Sequence, residues 1–192
     1  MSNASDPKRR SRRRKRLTYA SVLFLVAAFS LAWFFESQAT TTVIMVRYAE
    51  LASRAQANPG ISETGRMRAE ELVRLFSDVD VVAGVDAIFA TRFRYTQETA
   101  EPLAKQLSLP VQIVDMTNIR GVAERILRDY KGKIVLVITG GDAIAALVKE
   151  LNGSKQVPQM GDNEFDNIYI VSIPWYGKVK TLRLRYGAPY LP

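Results

Sequence analysis

At two positions in the sequence, a group that can bind an anion lies at the end of a predicted apolar strand. Arg47 ends the β-branched run Thr41–Arg47, which is typical of a buried strand. Gly140 and Gly141 follow a second apolar run, Ile134–Ile138, and precede a helical pattern, so their backbone N–H groups suit a phosphate. Because ligands of α/β sheets bind beyond the carboxyl ends of strands, both positions are candidate anion sites. The plainer alternatives are a scaffold arginine held by a carboxylate and a tight strand-to-helix turn.

The residue types that are absent also limit the chemistry. The 192 residues include no histidine and no cysteine. Without histidine, the chain lacks the usual general acid and base near neutral pH and the commonest metal ligand. Without cysteine, it lacks disulfides and a thiolate nucleophile. The sequence therefore predicts no metal site and no cofactor.

The net charge of +8 is concentrated at the amino terminus. Residues 1–16 carry eight lysines and arginines and one aspartate, or +7, which leaves +1 for the rest of the chain. A nucleic-acid-binding protein would carry a basic footprint on its folded part. We therefore expect no nucleic-acid partner. The basic tail is interpreted as a cytoplasmic topology signal that also contacts anionic lipid headgroups.

A long apolar segment follows the basic tail. Residues Leu17–Phe35 are 19 uncharged, mostly apolar residues, and about 20 such residues span a hydrocarbon core of roughly 30 Å. The cationic flank favours the cytoplasmic side, and the aromatic residues Trp33–Phe35 suit the distal interface. We predict a transmembrane signal-anchor over residues 17–37, with an extracytoplasmic domain that is periplasmic if the cell is Gram-negative. The alternative is a signal peptide cleaved after Ala39.

Strand and helix patterns alternate in the rest of the chain. Short apolar runs predict strands at Thr41–Arg47, Asp86–Ala90, Val111–Val114 and Ile134–Ile138. Helical patterns run from about Ser62, a candidate N-cap, to Phe76, and over Tyr95–Leu107, Val122–Tyr130 and Gly140–Leu151. Ile168–Ile173 and Val179–Arg185 predict a closing β-hairpin. This order predicts an α/β domain over residues 40–188, with three layers and a mostly parallel sheet flanked by helices.

Two finer predictions concern which side chains face the core. Four residues of the first helix in this domain form an apolar stripe: Met67, Leu72, Leu75 and Phe76. Three residues near the end of the last strand are expected on its solvent face: Arg183, Arg185 and Tyr186.

Four segments, in this order, resemble the histidine phosphatase (phosphoglycerate mutase-like) superfamily. Residues 42–50 (TVIMVRYAE) resemble its first strand and Arg-His-Gly/Ala-Glu motif, and residues 58–69 (NPGISETGRMRA) are similar to its Gly-x-x-Arg-Ala stretch. Residues 88–104 (IFATRFRYTQETAEPLA) resemble its Arg-Thr-x-x-Thr-Ala-x-x-Leu-Ala helix, and residues 134–148 (IVLVITGGDAIAALV) resemble the strand that carries Val-Gly-His. With the hairpin, the resemblance covers about residues 41–186 and implies the phosphoglycerate mutase-like fold.

The resemblance implies a phosphoryl-transfer site that is only partly present. In this family one histidine attacks phosphorus, two arginines and a second histidine neutralise the phosphoryl oxygens, and a carboxylate protonates the leaving group. Arg47 matches the first arginine. Tyr48 stands in place of the nucleophilic histidine, Tyr95 in place of the second arginine, and Gly140 in place of the second histidine.

Nearby residues are candidates for the missing groups. Arg92 and Arg94 lie close to the lost arginine, although two solvated side chains are the plainer expectation. Glu50 and Asp142 are near the presumed pocket, but neither matches the family's acid. The two tyrosines are expected to fill space that the imidazole and guanidinium groups leave.

These substitutions predict a catalytically inactive pseudophosphatase. A phenol, with a pKa of about 10, is under about one percent ionised near neutral pH, and its phosphoester lacks the labile P–N bond of phosphohistidine. Each lost group could remove about 3–4 kcal/mol of transition-state stabilisation. We expect a membrane-anchored binding or assembly module for an anionic or phosphorylated ligand or an envelope protein partner. The alternatives are a phosphatase that acts on an envelope component through Tyr48 or an activated water, and a purely structural domain.

Overall fold

The computed structural model describes residues 7–37, 40–78 and 84–187. The chain divides into two compact units, residues 1–38 and 39–192. Three parts of the predictions lie outside the described residues. They are residues 1–6 of the basic tail, the Gln38–Ala39 part of the candidate cleavage site, and the predicted end of the domain at residue 188.

The first unit contains one helix, α1 (Pro7–Ser37), in the part that the structure describes. The helix begins inside the basic tail, because lysine and arginine are good helix formers. Its segment Arg16–Phe34 has a mean hydropathy of 1.9 over 19 residues, and none of it is buried within the protein. This segment is long and apolar enough to cross a membrane, a property that an amino-terminal signal sequence can share.

The second unit alternates strands and helices, as predicted. Its strands are β1 (Thr41–Arg47), β2 (Ala87–Ala90), β3 (Val111–Ile113), β4 (Ile134–Thr139), β5 (Asn167–Ile173) and β6 (Lys180–Arg185). Its helices are α2 (Glu63–Asp78), α3 (Arg94–Leu107), α4 (Ile119–Asp129) and α5 (Gly141–Glu150). Ser62 caps α2 as expected, since its hydroxyl accepts a hydrogen bond from the N–H of Gly65 at 3.0 Å.

The six strands form one sheet in the order β3-β2-β4-β1-β5-β6. The first four strands in this order are parallel, whereas β5 and β6 form the predicted antiparallel hairpin along β1. In β1, Arg47 is level with Thr139 of β4, and Thr41 is level with Ile173 of β5. The carboxyl ends of β1 and β4 therefore meet at one edge of the sheet, and the β5–β6 turn lies at the opposite edge.

Helices cover both faces of this sheet. Val43 and Met45 pack with side chains of α4 and α5, whereas Ile44 and Val46 pack with side chains of α2 and α3. All four side chains are at most 9% exposed. Side chains of a strand alternate between the two faces of the sheet. The four consecutive apolar residues of β1, residues 43–46, therefore require a covering layer on each side. The predicted three-layer α/β architecture is confirmed.

Two of the predicted core and surface positions are wrong. Met67 is 54% exposed, because the buried stripe of α2 runs through Gly65, Arg68 and Leu72 and points Met67 to solvent. Tyr186, expected at the surface, is only 6% exposed. Its ring lies 5.7 Å from the Arg68 guanidinium, so α2 covers it.

Candidate functional site

A cavity of about 740 Å³ opens at the carboxyl ends of β1, β2 and β4. A site at this edge of an α/β sheet is the usual position for a ligand. The structure brings six residues singled out in the sequence to this one cavity: Arg47, Tyr48, Arg92, Tyr95, Gly140 and Gly141. Asp142 also lines it.

Arg47 is the buried cation of this cavity. Its side chain is held by loop carbonyls, since Nη1 donates to Gly161 O at 2.6 Å and to Glu164 O at 3.2 Å. Its guanidinium carbon lies 4.8 Å from the centre of the Phe165 ring, and its Nε has no hydrogen-bond partner. Among the described residues, no carboxylate forms an ion pair with Arg47. A 9% exposed cation without a counter-ion leaves a positive potential that favours an anion.

An aromatic cluster occupies the centre of the site. The rings of Tyr48 and Tyr95 lie 4.4 Å apart, and Tyr95 stacks on Phe93 at 5.3 Å. Phe165 lies 6.2 Å from Tyr48 on the other side. Burial raises the pKa of Tyr95, and the neighbouring Tyr48 raises it further. Tyr95 therefore remains a neutral phenol at physiological pH.

The amino terminus of α5 forms a second wall. Gly140 is the N-cap residue in an extended conformation, and no side chain caps the helix. The first N–H groups of such a helix lack intrahelical partners and attract anions. A Cβ atom at Gly140 would lie 3.9 Å from Cε1 of Tyr48, so this position has room for a side chain. The exposed Asp142 in the first turn opposes an anion there.

The two arginines that were candidates for a second guanidinium, Arg92 and Arg94, have different environments. Arg92 is exposed on the rim of the cavity, with its guanidinium carbon 5.5 Å from the Phe93 ring. Arg94 forms an ion pair with Glu98 at 2.6 Å and lies outside the cavity lining. Arg92 is therefore the one of the two that can reach a ligand.

Glu50 is a structural residue. Its carboxylate accepts hydrogen bonds from Nε and Nη2 of the 8% exposed Arg68, at 2.9 and 2.7 Å. Gly65 lets α2 lie close to the backbone of Glu50, since a Cβ atom at position 65 would lie 2.4 Å from the backbone oxygen of Glu50. The Gly-x-x-Arg-Ala stretch thus joins α2 to the end of β1. Glu50 does not line the cavity.

The polar segment Ser154–Asn167 belongs to the site, although none of its residues was a candidate from the sequence. This segment supplies the two carbonyls that hold Arg47. Glu164 in turn anchors the segment, because its Oε1 pairs with Arg183 at 2.6 Å and with Arg185 at 2.7 Å. In the sequence, alternate acids on the loop (Asp162, Glu164 and Asp166) and alternate arginines on β6 (Arg183 and Arg185) could have indicated these ion pairs. Within the described residues, no cluster of acidic side chains suits a metal ion.

No protein-family model and no curated protein matches the sequence. Solved structures do match its fold. The protein histidine phosphatase SixA in complex with tungstate has a TM-score of 0.60 at 16% identity, over 75% of this chain and 96% of that one. A putative α-ribazole-5′-phosphate phosphatase from Escherichia coli has a TM-score of 0.56 at 13% identity, over 77% and 96%.

A mycobacterial glucosyl-3-phosphoglycerate phosphatase in complex with inorganic phosphate is similar at a TM-score of 0.55 and 16% identity, over 77% of this chain and 97% of that one. The second unit of the chain therefore has the histidine phosphatase, or phosphoglycerate mutase-like, fold.

Glu164→Gln tests whether the ion pairs of the loop stabilise the site. Burial alone would raise the pKa of Glu164, but the polar side chain of Asn167 and the N–H of Gly161 hold it below the ordinary 4.5. The cations of Arg183 and Arg185 lower this pKa further. A lowered pKa stabilises the fold fully above pH 4.5, and this contribution is lost as the pH falls through the folded-state value. We expect Glu164→Gln to cost about 1.5–3 kcal/mol at pH 7.

The measurement is urea unfolding of the full chain in detergent micelles, from pH 7 down to pH values well below 4.5. The difference between wild type and variant should shrink as the pH falls through this range. Glu63→Gln, on a 78% exposed side chain, is the control and should change little. A stability difference that is the same at every pH would contradict this role for Glu164.

Proposed function

We propose that this chain is a membrane-anchored phosphatase-fold protein that binds a phosphorylated ligand without hydrolysing it. Arg47 supports this proposal most directly. It is a buried cation with an unpartnered Nε and no described counter-ion, and it lines the same cavity as the uncapped amino terminus of α5. A phosphoryl group satisfies both features, because it brings negative charge and several acceptor oxygens.

The same site lacks the groups that phosphoryl transfer requires. Tyr48 replaces the nucleophile, and its ring is packed between Tyr95 and Phe165. Tyr95 and Gly140 carry no positive charge, so two cationic contacts to the transition state are gone. A single lost donor of this kind lowers kcat by about 10²–10³. Binding of the ground-state phosphate, which needs less charge, is the function that remains.

We further propose that α1 is an uncleaved anchor with the amino terminus in the cytoplasm. Its apolar segment Arg16–Phe34 suits a bilayer, and the basic tail before it favours the cytoplasmic side. The phosphatase-fold domain is then extracytoplasmic. Its ligand is a small phosphomonoester or a phosphorylated group of an envelope protein.

The alternative is a working phosphatase, which the position of Asp142 in the cavity favours. This carboxylate lines the cavity and is the only described carboxylate in the first turn of α5. It is a candidate acid for a leaving group, with Tyr48 or an activated water as the nucleophile.

Oxyanion binding should depend on Arg47. Tungstate and inorganic phosphate, which the SixA and mycobacterial structures contain, are the probes. At a concentration of 100 times the Kd, a ligand stabilises the folded state by about 2.7 kcal/mol. Thermal unfolding of the full chain in micelles should show this shift, and Arg47→Ala should abolish it.

Arg66→Ala is the matched control, because Arg66 is exposed on α2 and pairs only with Glu63 among the described acids. Its shift with tungstate should equal that of wild type. A shift that persists in Arg47→Ala, or no shift in wild type at any concentration, would contradict the proposed site.

Restoring the lost groups should restore hydrolysis. The triple variant Tyr48→His, Tyr95→Arg, Gly140→His returns both imidazoles and the second guanidinium to a cavity with room at position 140. We expect p-nitrophenyl phosphate hydrolysis to rise by at least about 10²–10³-fold over wild type. Adding Arg47→Ala to the triple variant is the control and should remove the gain. Hydrolysis by wild type that Arg47→Ala abolishes would instead support the alternative.

A further inference from the structure

We propose that the turn between β5 and β6, residues Pro174–Val179, docks on the anionic bilayer that carries α1 and so directs the cavity away from the membrane. This inference rests on the membrane anchor of the proposed function and goes beyond it, since it assigns a lipid-binding surface to the phosphatase-fold domain. We call Pro174–Val179 the docking turn.

The docking turn lies at the sheet edge where the chain enters the domain. Thr41, the first residue of β1, is level with Ile173, the last residue of β5. Only seven residue steps separate Phe34, at the end of the apolar segment, from Thr41. Fully extended, seven residues span at most about 25 Å. A tether of this length allows the edge that carries the docking turn to reach the bilayer surface.

The docking turn presents aromatic side chains from a rigid base. Trp175 is 52% exposed and Tyr176 is 84% exposed. On either side of them, Ile173 and Val179 pack against the core. Gly177, with φ of +115°, provides the turn conformation that other residues rarely adopt. Tryptophan and tyrosine favour the membrane–water interface, where the ring is apolar and its polar atom remains hydrated.

Lysines surround these aromatic residues. Four exposed lysines lie on the turns and strand end near this edge: Lys131, Lys155, Lys178 and Lys180. The turn that carries Lys131 is fixed there by the hydrogen bond from Gly132 N–H to Oγ1 of Thr41, at 2.9 Å. The nearby carboxylate of Asp86 is already paired with Lys133 at 3.1 Å. None of these four lysines forms an ion pair with a carboxylate in the described part of the chain, and exposed aromatic rings among such lysines complement an anionic lipid surface.

The cavity lies at the other end of the same strands. Arg47 and Thr139 end β1 and β4, and the seven residues of β1 span roughly 20 Å. A domain that docks through Pro174–Val179 thus opens its cavity to the aqueous side. Its ligand arrives from solution or from a partner protein, whereas headgroups of the same bilayer cannot reach Arg47.

The two tryptophans of the chain allow a direct test. Trp33→Phe leaves Trp175 as the reporter in the full chain reconstituted into vesicles with brominated acyl chains. We expect the brominated lipid to quench Trp175 in vesicles that contain phosphatidylglycerol. Neutralising two lysines, Lys178→Gln with Lys180→Gln, should weaken docking roughly 30-fold. The matched control, Arg54→Gln with Arg66→Gln, removes the same charge far from the docking turn and should leave the quenching unchanged.

The complementary variant Trp175→Phe reports on α1 through Trp33. If lipid quenches Trp33 while Trp175 stays accessible to aqueous acrylamide, the docking proposal is overturned and the anchor stands. If neither tryptophan is quenched, both are overturned. Equal quenching in the lysine and arginine double variants would overturn the assignment of the lysines to anionic headgroups.

Discussion

The site depends on one buried guanidinium that has no described carboxylate partner. Arg47 is the last residue of β1, and two carbonyls of the loop before β5 hold its side chain. That loop is held by Glu164, which pairs with Arg183 and Arg185 of the hairpin. The ion pairs between Glu164 and the hairpin thus fix the position of the Arg47 guanidinium without neutralising its charge. A buried charge in this state is costly, so an anionic ligand would stabilise the protein that binds it.

Phenol rings and a glycine give the cavity an aromatic character. The fold brings Tyr48, Tyr95 and Gly140 to adjacent positions at the ends of the strands, as the family resemblance implies. Tyr48, Tyr95, Phe93 and Phe165 now make the centre aromatic, and its one buried cation faces two ring surfaces. Among the residues that line the cavity and that the structure describes, Arg47 is the buried cation, whereas a metaphosphate-like transition state is stabilised by several positive charges.

The sequence predicted the fold well because each signal was local or ordered along the chain. Continuous apolar runs marked β1 and β4, Ser62 marked the start of α2, and the order of motif-like segments placed six residues around one cavity. The misses have a common cause in packing between distant segments. Met67 is exposed because Gly65 and Arg68 turn the other face of α2 toward β1, and Tyr186 is buried under α2. The role of Glu164 depends on the register of β5 with β6, which the alternation of acids and arginines on the two segments does not specify by itself.

Phosphorus NMR of the full chain with a phosphomonoester tests the central claim most directly, because one sample reports both binding and turnover. We expect the ester resonance to broaden in wild type and to remain sharp in Arg47→Ala, while inorganic phosphate accumulates in neither. An inorganic phosphate signal that grows only when Arg47 is present, together with a phosphotyrosine resonance at Tyr48 that forms and decays, would contradict it.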